Sequence, residues 1–249
     1  MNPILQQRSL GSWITLGHPA IAELMADAGF DWLAVDLEHS AITLREAEDL
    51  IRVIERCGCT PLVRLSSNNA VQIKRVMDSG AHGVIVPMVN SEEDAKAAVA
   101  AVKYPPKGKR SFGLARTQRY GNRFAEYIDW ATDNSIVIVQ IEHIEAVGSI
   151  EQILAVPGVD GYFVGPYDLS GSMGIPGEFE NPEFVETMRR IREAGLTSGK
   201  PGGRHVVTPD IEELARAFAE GERFVAYGLD VMMLDKACRA AIRLKKETE

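Results

Sequence analysis

Short, nearly continuous apolar runs alternate along this chain with stretches whose apolar residues recur every three to four positions. WITLG (13–17), WLAVDL (32–37), PLVRL (61–65), GVIVPMV (83–89), IVIVQI (136–141), GYFVG (161–165), the segment 200–207 and RFVAYG (223–228) have the length and residue types of buried strands. Between them, AIAELMADAG, TLREAEDLIRVIERCG, NAVQIKRVMDSG, SEEDAKAAVAAVKY, PEFVETMRRIREAG and PDIEELARAFAEG carry helical periodicity. Thr43, Ser91 and Asn181 stand where a helix N-cap would, and Gly29, Gly58, Gly80, Gly195 and Gly221 where helices stop. Eight such units over residues 1–249 predict a single-domain (β/α)8 TIM barrel. An open doubly wound sheet is the alternative, but no G-x-G-x-x-G follows any strand.

The strand ends break the apolar pattern. LAVDLEH closes on Asp36, Glu38 and His39, PLVRL on Arg64, IVIVQIEH on Glu142 and YFVGPYD on Asp168. A charge at the end of a buried strand is costly unless something compensates it, so these groups point to a shared metal and anionic ligand. In a barrel they would gather at the C-terminal face, where active sites lie. Side-chain alternation puts Gln140 and Glu142 on the face of Ile136 and Ile138, and Arg64 on that of Leu62. Two carboxylates at neighbouring strand ends offer hard oxygen ligands for Mg²⁺ or Mn²⁺. Such a cation chelated by a 2-oxo acid would stabilise an enolate, with Arg64 as a second donor to the same oxygen. Asp36-x-x-His39 spaces a carboxylate to orient an imidazole, making His39 the candidate base. The lysine of an imine-forming aldolase is missing from the strand cores, and Lys200 stands in a polar GKPGG turn.

Charge and composition narrow the partners. A net charge of −8, with both signs spread along the chain, disfavours a nucleic-acid surface. No apolar run reaches membrane-spanning length, and the N-terminus lacks a signal pattern, which leads us to expect a cytoplasmic protein with no membrane partner. Cys57, Cys59 and Cys238 form no disulfide framework, and Cys57 and Cys59 are too tightly spaced for a zinc pair. Residues 105–123, PPKGKRSFGLARTQRYGNR, interrupt the rhythm with a basic, turn-rich stretch before an extra helix, FAEYIDWATDNS. Connections of this length are often lids or subunit contacts.

The run GSWITLGHPAIAELMADAGFDWLAVDLEH, followed by PLVRLSSNNAVQIKRVMDSGAHGVIVPMV, YPPKGKR, VQIEHIEAV and GVDGYFVGPYDLSGSMG, resembles the HpcH/HpaI family of metal-dependent class II pyruvate aldolases over nearly the whole chain. The resemblance implies cleavage of 4-hydroxy-2-oxo acids to pyruvate and an aldehyde, reversibly. Glu142 and Asp168 would hold Mg²⁺ or Mn²⁺, with Co²⁺ a third candidate. Arg64 would contact the keto or enolate oxygen, and Asp36 with His39 would form the acid/base dyad. Gln140, Gly165, Tyr167, Asp168 and Trp13 would surround the bound 2-oxo acid, while Glu38 would support the turn. It further implies a homo-oligomer, a hexamer built as a trimer of dimers, exchanging the last helix, LDKACRAAIRLKKE. A CoA-thioester lyase or an oxo-acid decarboxylase on the same barrel is the alternative, and a catalytically silent barrel a more distant one. The chain departs from the pattern at Leu37, at Arg110-Ser111, and at Arg204 and His205, where relatives tend to carry small or apolar residues near the aldehyde pocket. Those last two predict a polar or anionic acceptor.

Overall fold

The computed structural model describes residues 3–248, and its eight parallel strands close on themselves in sequence order, β8 pairing with β1. They are β1 (Ser9–Ile14), β2 (Trp32–Asp36), β3 (Thr60–Arg64), β4 (Gly83–Val86), β5 (Ile136–Ile141), β6 (Gly161–Val164), β7 (Gly202–Val206) and β8 (Phe224–Leu229). A short α1 (Pro3–Gln6) precedes the barrel. The outer ring is α2 (Pro19–Asp27), α3 (Leu44–Arg56), α4 (Ala70–Asp78), α5 (Glu92–Val102), α6 (Phe124–Asn134), α7 (Ile144–Gly148), α8 (Ile150–Ala155), α9 (Pro166–Ser172), α10 (Pro182–Ser198), α11 (Ile211–Ala219) and α12 (Asp230–Glu247). This is the TIM barrel that the alternation of patterns predicts. The caps act as expected: Thr43 forms a capping box with Glu46, and the Ser91 and Asn181 side chains accept from Asp94 and Glu183 N–H groups.

The two-residue period of the strands sorts their side chains into two layers. Ile14, Leu33, Val35, Val63, Val84, Val86, Val137 and Val139 face the helices in the larger core. Trp13, Trp32, Ala34, Leu62, Ile85, Ile136, Ile138, Phe163, Phe224 and Ala226 fill the barrel interior. Gly11 is glycine for room, because a Cβ there would run into the Trp32 ring. Trp32 in turn stacks on Phe224 at 4.2 Å and meets Trp13 edge-on at 6.3 Å. Truncating a fully buried residue of this interior layer, such as Leu62 to Ala, would cost about 2–5 kcal/mol.

Two strands depart from the apolar pattern by more than two residues at an end. β1 runs from 9 to 14 and not from 13 to 17, because the Thr15 and Leu16 N–H groups go to the Asp230 carboxylate, each at 2.8 Å, and leave the sheet. β4 stops at Val86, before Pro87 and a left-handed Met88 (φ 53°). The basic stretch 105–123 joins α5 to α6 and so lies toward the N-terminal end of the barrel, opposite the mouth; it is no lid over this chain's own site. It is anchored by Arg110, which donates to Asp78 at 2.5 Å and to the Tyr127 hydroxyl at 3.2 Å. α12 packs on β8 and β1 and leaves Leu234, Ile242 and Leu244 exposed. No helix among the described residues is long and apolar enough to cross a membrane.

Candidate active site

The interior alternation continues past the apolar layers into polar side chains at the C-terminal mouth. On β2, Trp32 and Ala34 are followed inward by Asp36, and on β3, Leu62 by Arg64. On β5, Ile136 and Ile138 are followed by Gln140 and then Glu142, and β7 adds His205. Asp36 and Arg64 are partners in register, so their side chains stand side by side. Arg64 donates through Nε to Asp36 Oδ1 at 2.9 Å and through Nη2 to Oδ2 at 2.6 Å, while its guanidinium lies 4.4 Å over the Trp13 ring. Its Nη1 makes no hydrogen bond among the described residues and is not enclosed. Burial pushes the Asp36 carboxyl up, but Arg64 and the Glu38 and His39 N–H groups outweigh it and hold it below the usual range.

The Asp36–His39 dyad is not formed as the spacing suggests. The chain turns after β2, so that Asp36 Oδ1 accepts the backbone N–H groups of Glu38 and His39 at 3.0 and 3.3 Å. Both Asp36 oxygens are thereby occupied, and the imidazole is thrown outward, its side chain 62 % exposed, with Nε2 3.6 Å from Glu38 Oε2. Glu38, which the pattern first includes and the resemblance sets aside, belongs to this cluster. Its Oε2 is buried without a hydrogen bond and lies 3.5 Å from Arg64 Nε. Burial, with Asp36 and Asp168 nearby, raises its carboxyl to about 7 despite Arg64.

Glu142 sits just past β5, 3 % exposed. Its Oε1 accepts the Met88 N–H at 2.7 Å and its Oε2 the Gln140 amide. Met88 delivers that N–H only because it takes the left-handed conformation after Pro87; the interrupted run VIVPMV was the sequence signal for it. Gly165, at the N-terminus of α9, completes the cradle: a Cβ there would lie 2.9 Å from Glu142 Oε2 and 3.0 Å from its Cβ. Burial raises the Glu142 carboxyl, the Met88 and Gln140 donors lower it, and Glu38 and Asp168 add to the rise. Asp168 is exposed in the first turn of α9, and Tyr167 beside it packs edge-on against Phe179 at 5.0 Å.

Trp13 is 1 % exposed and lies beneath Arg64, so it supports the guanidinium and is no open wall of the site. Arg204 and His205 part company, as neighbours on a strand must. Arg204 turns outward into a cavity of about 670 Å³ between α10 and α11, paired at 3.2 Å with Glu220, which also receives Arg192 at 3.0 Å. Tyr167 and His205 line the same cavity, in which Glu220 takes the Arg204 charge. His205 points inward onto Trp13, ring centroids 5.7 Å apart.

Among the described residues no group of three or more His, Cys, Asp or Glu side chains is arranged to hold a metal. Glu142 and Asp168 offer a pair of hard donors; burial raises the Glu142 carboxyl, and Glu38 and Asp168 beside it add to the rise, so acidic groups crowd this end of the barrel. That donor set suits a hard cation that keeps water and substrate oxygens as its other ligands.

The family model for HpcH/HpaI aldolase/citrate lyase matches residues 9–237. The chain is 39 % identical over 240 residues to a hydroxypyruvate/pyruvate aldolase of Sagittula stellata, covering 94 % of this chain and 92 % of that protein. It is 40 % identical over 238 residues to a 4-hydroxy-2-oxo-heptane-1,7-dioate aldolase of Shigella sonnei, covering 93 % and 88 %. The crystal structure of an HpcH/HpaI aldolase/citrate lyase family protein from Burkholderia cenocepacia superposes with a TM-score of 0.91 at 32 % identity, covering 96 % and 95 %. By sequence over nearly its full length, and by fold, the chain belongs to the HpcH/HpaI aldolase/citrate lyase family.

Proposed function

We propose that this chain is a divalent-cation-dependent aldolase that cleaves 4-hydroxy-2-oxo acids to pyruvate and an aldehyde and runs the reverse addition. The observation that carries the reading is the mouth itself: one arginine, its Nη1 not used by Asp36, serves a mouth that also holds Glu38 and Glu142, one cation for three acidic side chains. Its relatives by sequence are aldolases for 2-oxo acids. Glu142 and Asp168 would hold the cation, Mg²⁺ or Mn²⁺ with Co²⁺ as the third candidate. When bound it supplies a Lewis acid that draws electron density from the 2-oxo group.

The remaining steps belong to the chain's own side chains. Met88 N–H and the Gln140 amide fix the Glu142 carboxylate. Asp36 clamps two nitrogens of Arg64, so that Nη1 is preset to donate to the oxygen on which negative charge grows. The first-turn N–H groups at Tyr167 and Asp168 would receive the substrate carboxylate. His39, at the rim beside Glu38, takes the C4 hydroxyl proton directly or through water, the C3–C4 bond breaks, and the pyruvate enolate is protonated at C3. None of the eight strands carries a lysine, so no side chain is placed to form an imine inside the barrel.

The proposal extends to a cytoplasmic homo-oligomer, a hexamer that exchanges its last helix; the uncovered Leu234, Ile242 and Leu244 of α12 support that part. The test is to strip the protein with a chelator, restore Mn²⁺ or Mg²⁺, and follow pyruvate release. Activity returns with the metal in the wild type, and Glu142→Ala lowers the restored rate by at least about 100-fold. Full activity in the chelated protein would overturn the reading.

A further inference from the structure

His205 is an inward side chain at the mouth that the cleavage chemistry does not use. It follows Gly203 on the interior face of β7 and lies on the Trp13 indole, the same ring that carries Arg64. Its Nε2 lies 2.9 Å from the Gly228 carbonyl oxygen, an atom that can only accept. The ring must therefore donate from Nε2, which leaves the Nδ1 lone pair as an acceptor. Nδ1 makes no hydrogen bond among the described residues and is not enclosed, and His205 lines, with Tyr167, the cavity of about 670 Å³. Burial, together with the Arg64 charge, pushes the imidazole down to about 4 against the Gly228 bond and Asp36, so at neutral pH the ring is uncharged. A neutral acceptor repels a carboxylate and welcomes a hydroxyl.

We propose that His205 is a specificity-determining residue that accepts a hydrogen bond from a hydroxyl carried one carbon from a reacting carbonyl. Arg64, which takes the carbonyl oxygen, and His205 lie 4.4 and 5.7 Å from the centroid of the one Trp13 ring, so the hydroxyl sought is the one nearest that carbonyl. The hydroxyl has two sources, the oxo acid (a 3-hydroxy-2-oxo acid in place of pyruvate) or the aldehyde (a 2-hydroxyaldehyde). Arg204 adds no unpaired cation, because Glu220 takes its guanidinium at 3.2 Å. This rests on the aldolase reading and narrows its substrate class to hydroxylated partners.

The test measures kcat/KM for aldol addition in the four pairings of pyruvate or hydroxypyruvate with acetaldehyde or glycolaldehyde, for the wild type, His205→Leu and His205→Asn. His205→Leu loses at least about 30-fold in the pairings that carry the recognised hydroxyl and stays within about threefold for pyruvate with acetaldehyde. His205→Asn, which keeps an acceptor, recovers most of the loss. A loss that follows hydroxypyruvate assigns the oxo acid as the source, and one that follows glycolaldehyde assigns the aldehyde. Equal change across all four pairings, or an Asn variant no better than Leu, overturns the proposal. If the wild type catalyses none of the four with Mn²⁺ present, it is the aldolase reading that fails, and that is seen before any variant is made.

Discussion

At the base of the barrel, Lys103 is 7 % exposed and donates to the Ser135 carbonyl at 2.6 Å, and Asp160 accepts the Val137 N–H at 2.9 Å. Arg110 lies on the Tyr104 ring at 4.6 Å, with Asp78 and the Tyr127 hydroxyl as its acceptors. At the mouth, Arg64 is as well clamped, by Asp36, but three more carboxylates share its neighbourhood: Glu38, Glu142 and Asp168. Buried charge at the base is matched within the chain and serves the fold. Buried charge at the mouth is in excess, and the excess marks where something outside the chain completes the balance.

The same change at both ends tests that division. Arg64→Met leaves Asp36, 1 % exposed, as a buried carboxylate without its cation, and we expect a loss of about 3–5 kcal/mol in urea unfolding together with near-complete loss of activity. Arg110→Met frees Asp78, whose side chain is 23 % exposed and rehydrates, so the loss is about 1–3 kcal/mol, with kcat/KM within about twofold of wild type. If Arg110→Met lowers kcat/KM as far as Arg64→Met does, the two ends do not divide fold from function.

How far this division was legible in the sequence depends on the separation of the partners. The strands read clearly where apolar residues fill both faces, as in IVIVQI. β1 did not, because its middle positions are Gly11 and Ser12, and Ser12 satisfies its hydroxyl on the Tyr227 carbonyl at 2.8 Å, across the closure of the barrel. The inward placement of Arg64, Gln140 and Glu142 followed from alternation alone. That Asp36 is taken by Arg64 did not, since the partners are 28 residues apart and three-residue spacing favoured His39. Glu38 was legible as a charge at a strand end and illegible as a half-buried one with a raised carboxyl, because the charges that act on it, Arg64 and Asp168, are distant in sequence.

A smaller effect probes the cradle around Glu142. In Gly165→Ala the new Cβ meets Glu142 at 2.9–3.0 Å, so the carboxylate must move by a few tenths of an ångström. Displacing it from the Met88 N–H should weaken Mn²⁺ binding, read by titration, by about 10-fold. The melting temperature should stay near wild type, since no buried pair is broken. Unchanged Mn²⁺ affinity would show that the glycine is there for packing against β5 and not for the carboxylate.

The weakest expected effect is on the pH dependence of stability, to which Asp160 at the base also contributes because burial raises its carboxyl, so a Glu38 variant is needed to isolate the share of the mouth. Glu38 titrates at about 7 in the folded protein against an ordinary 4.5, so between those values the folded state holds a proton that the unfolded state lacks. Stability therefore falls as pH rises through that window, and Glu142 shifts in the same direction. Without added metal, the wild-type melting temperature should drop by about 2–4 °C between pH 5.5 and 8, and Glu38→Gln should remove part of that slope. Saturating Mn²⁺ should flatten it further, because the cation supplies the charge that the mouth lacks. Identical slopes in the wild type and Glu38→Gln would mean that Glu38 is not among the unbalanced carboxylates, which would leave the excess to Glu142 and Asp168.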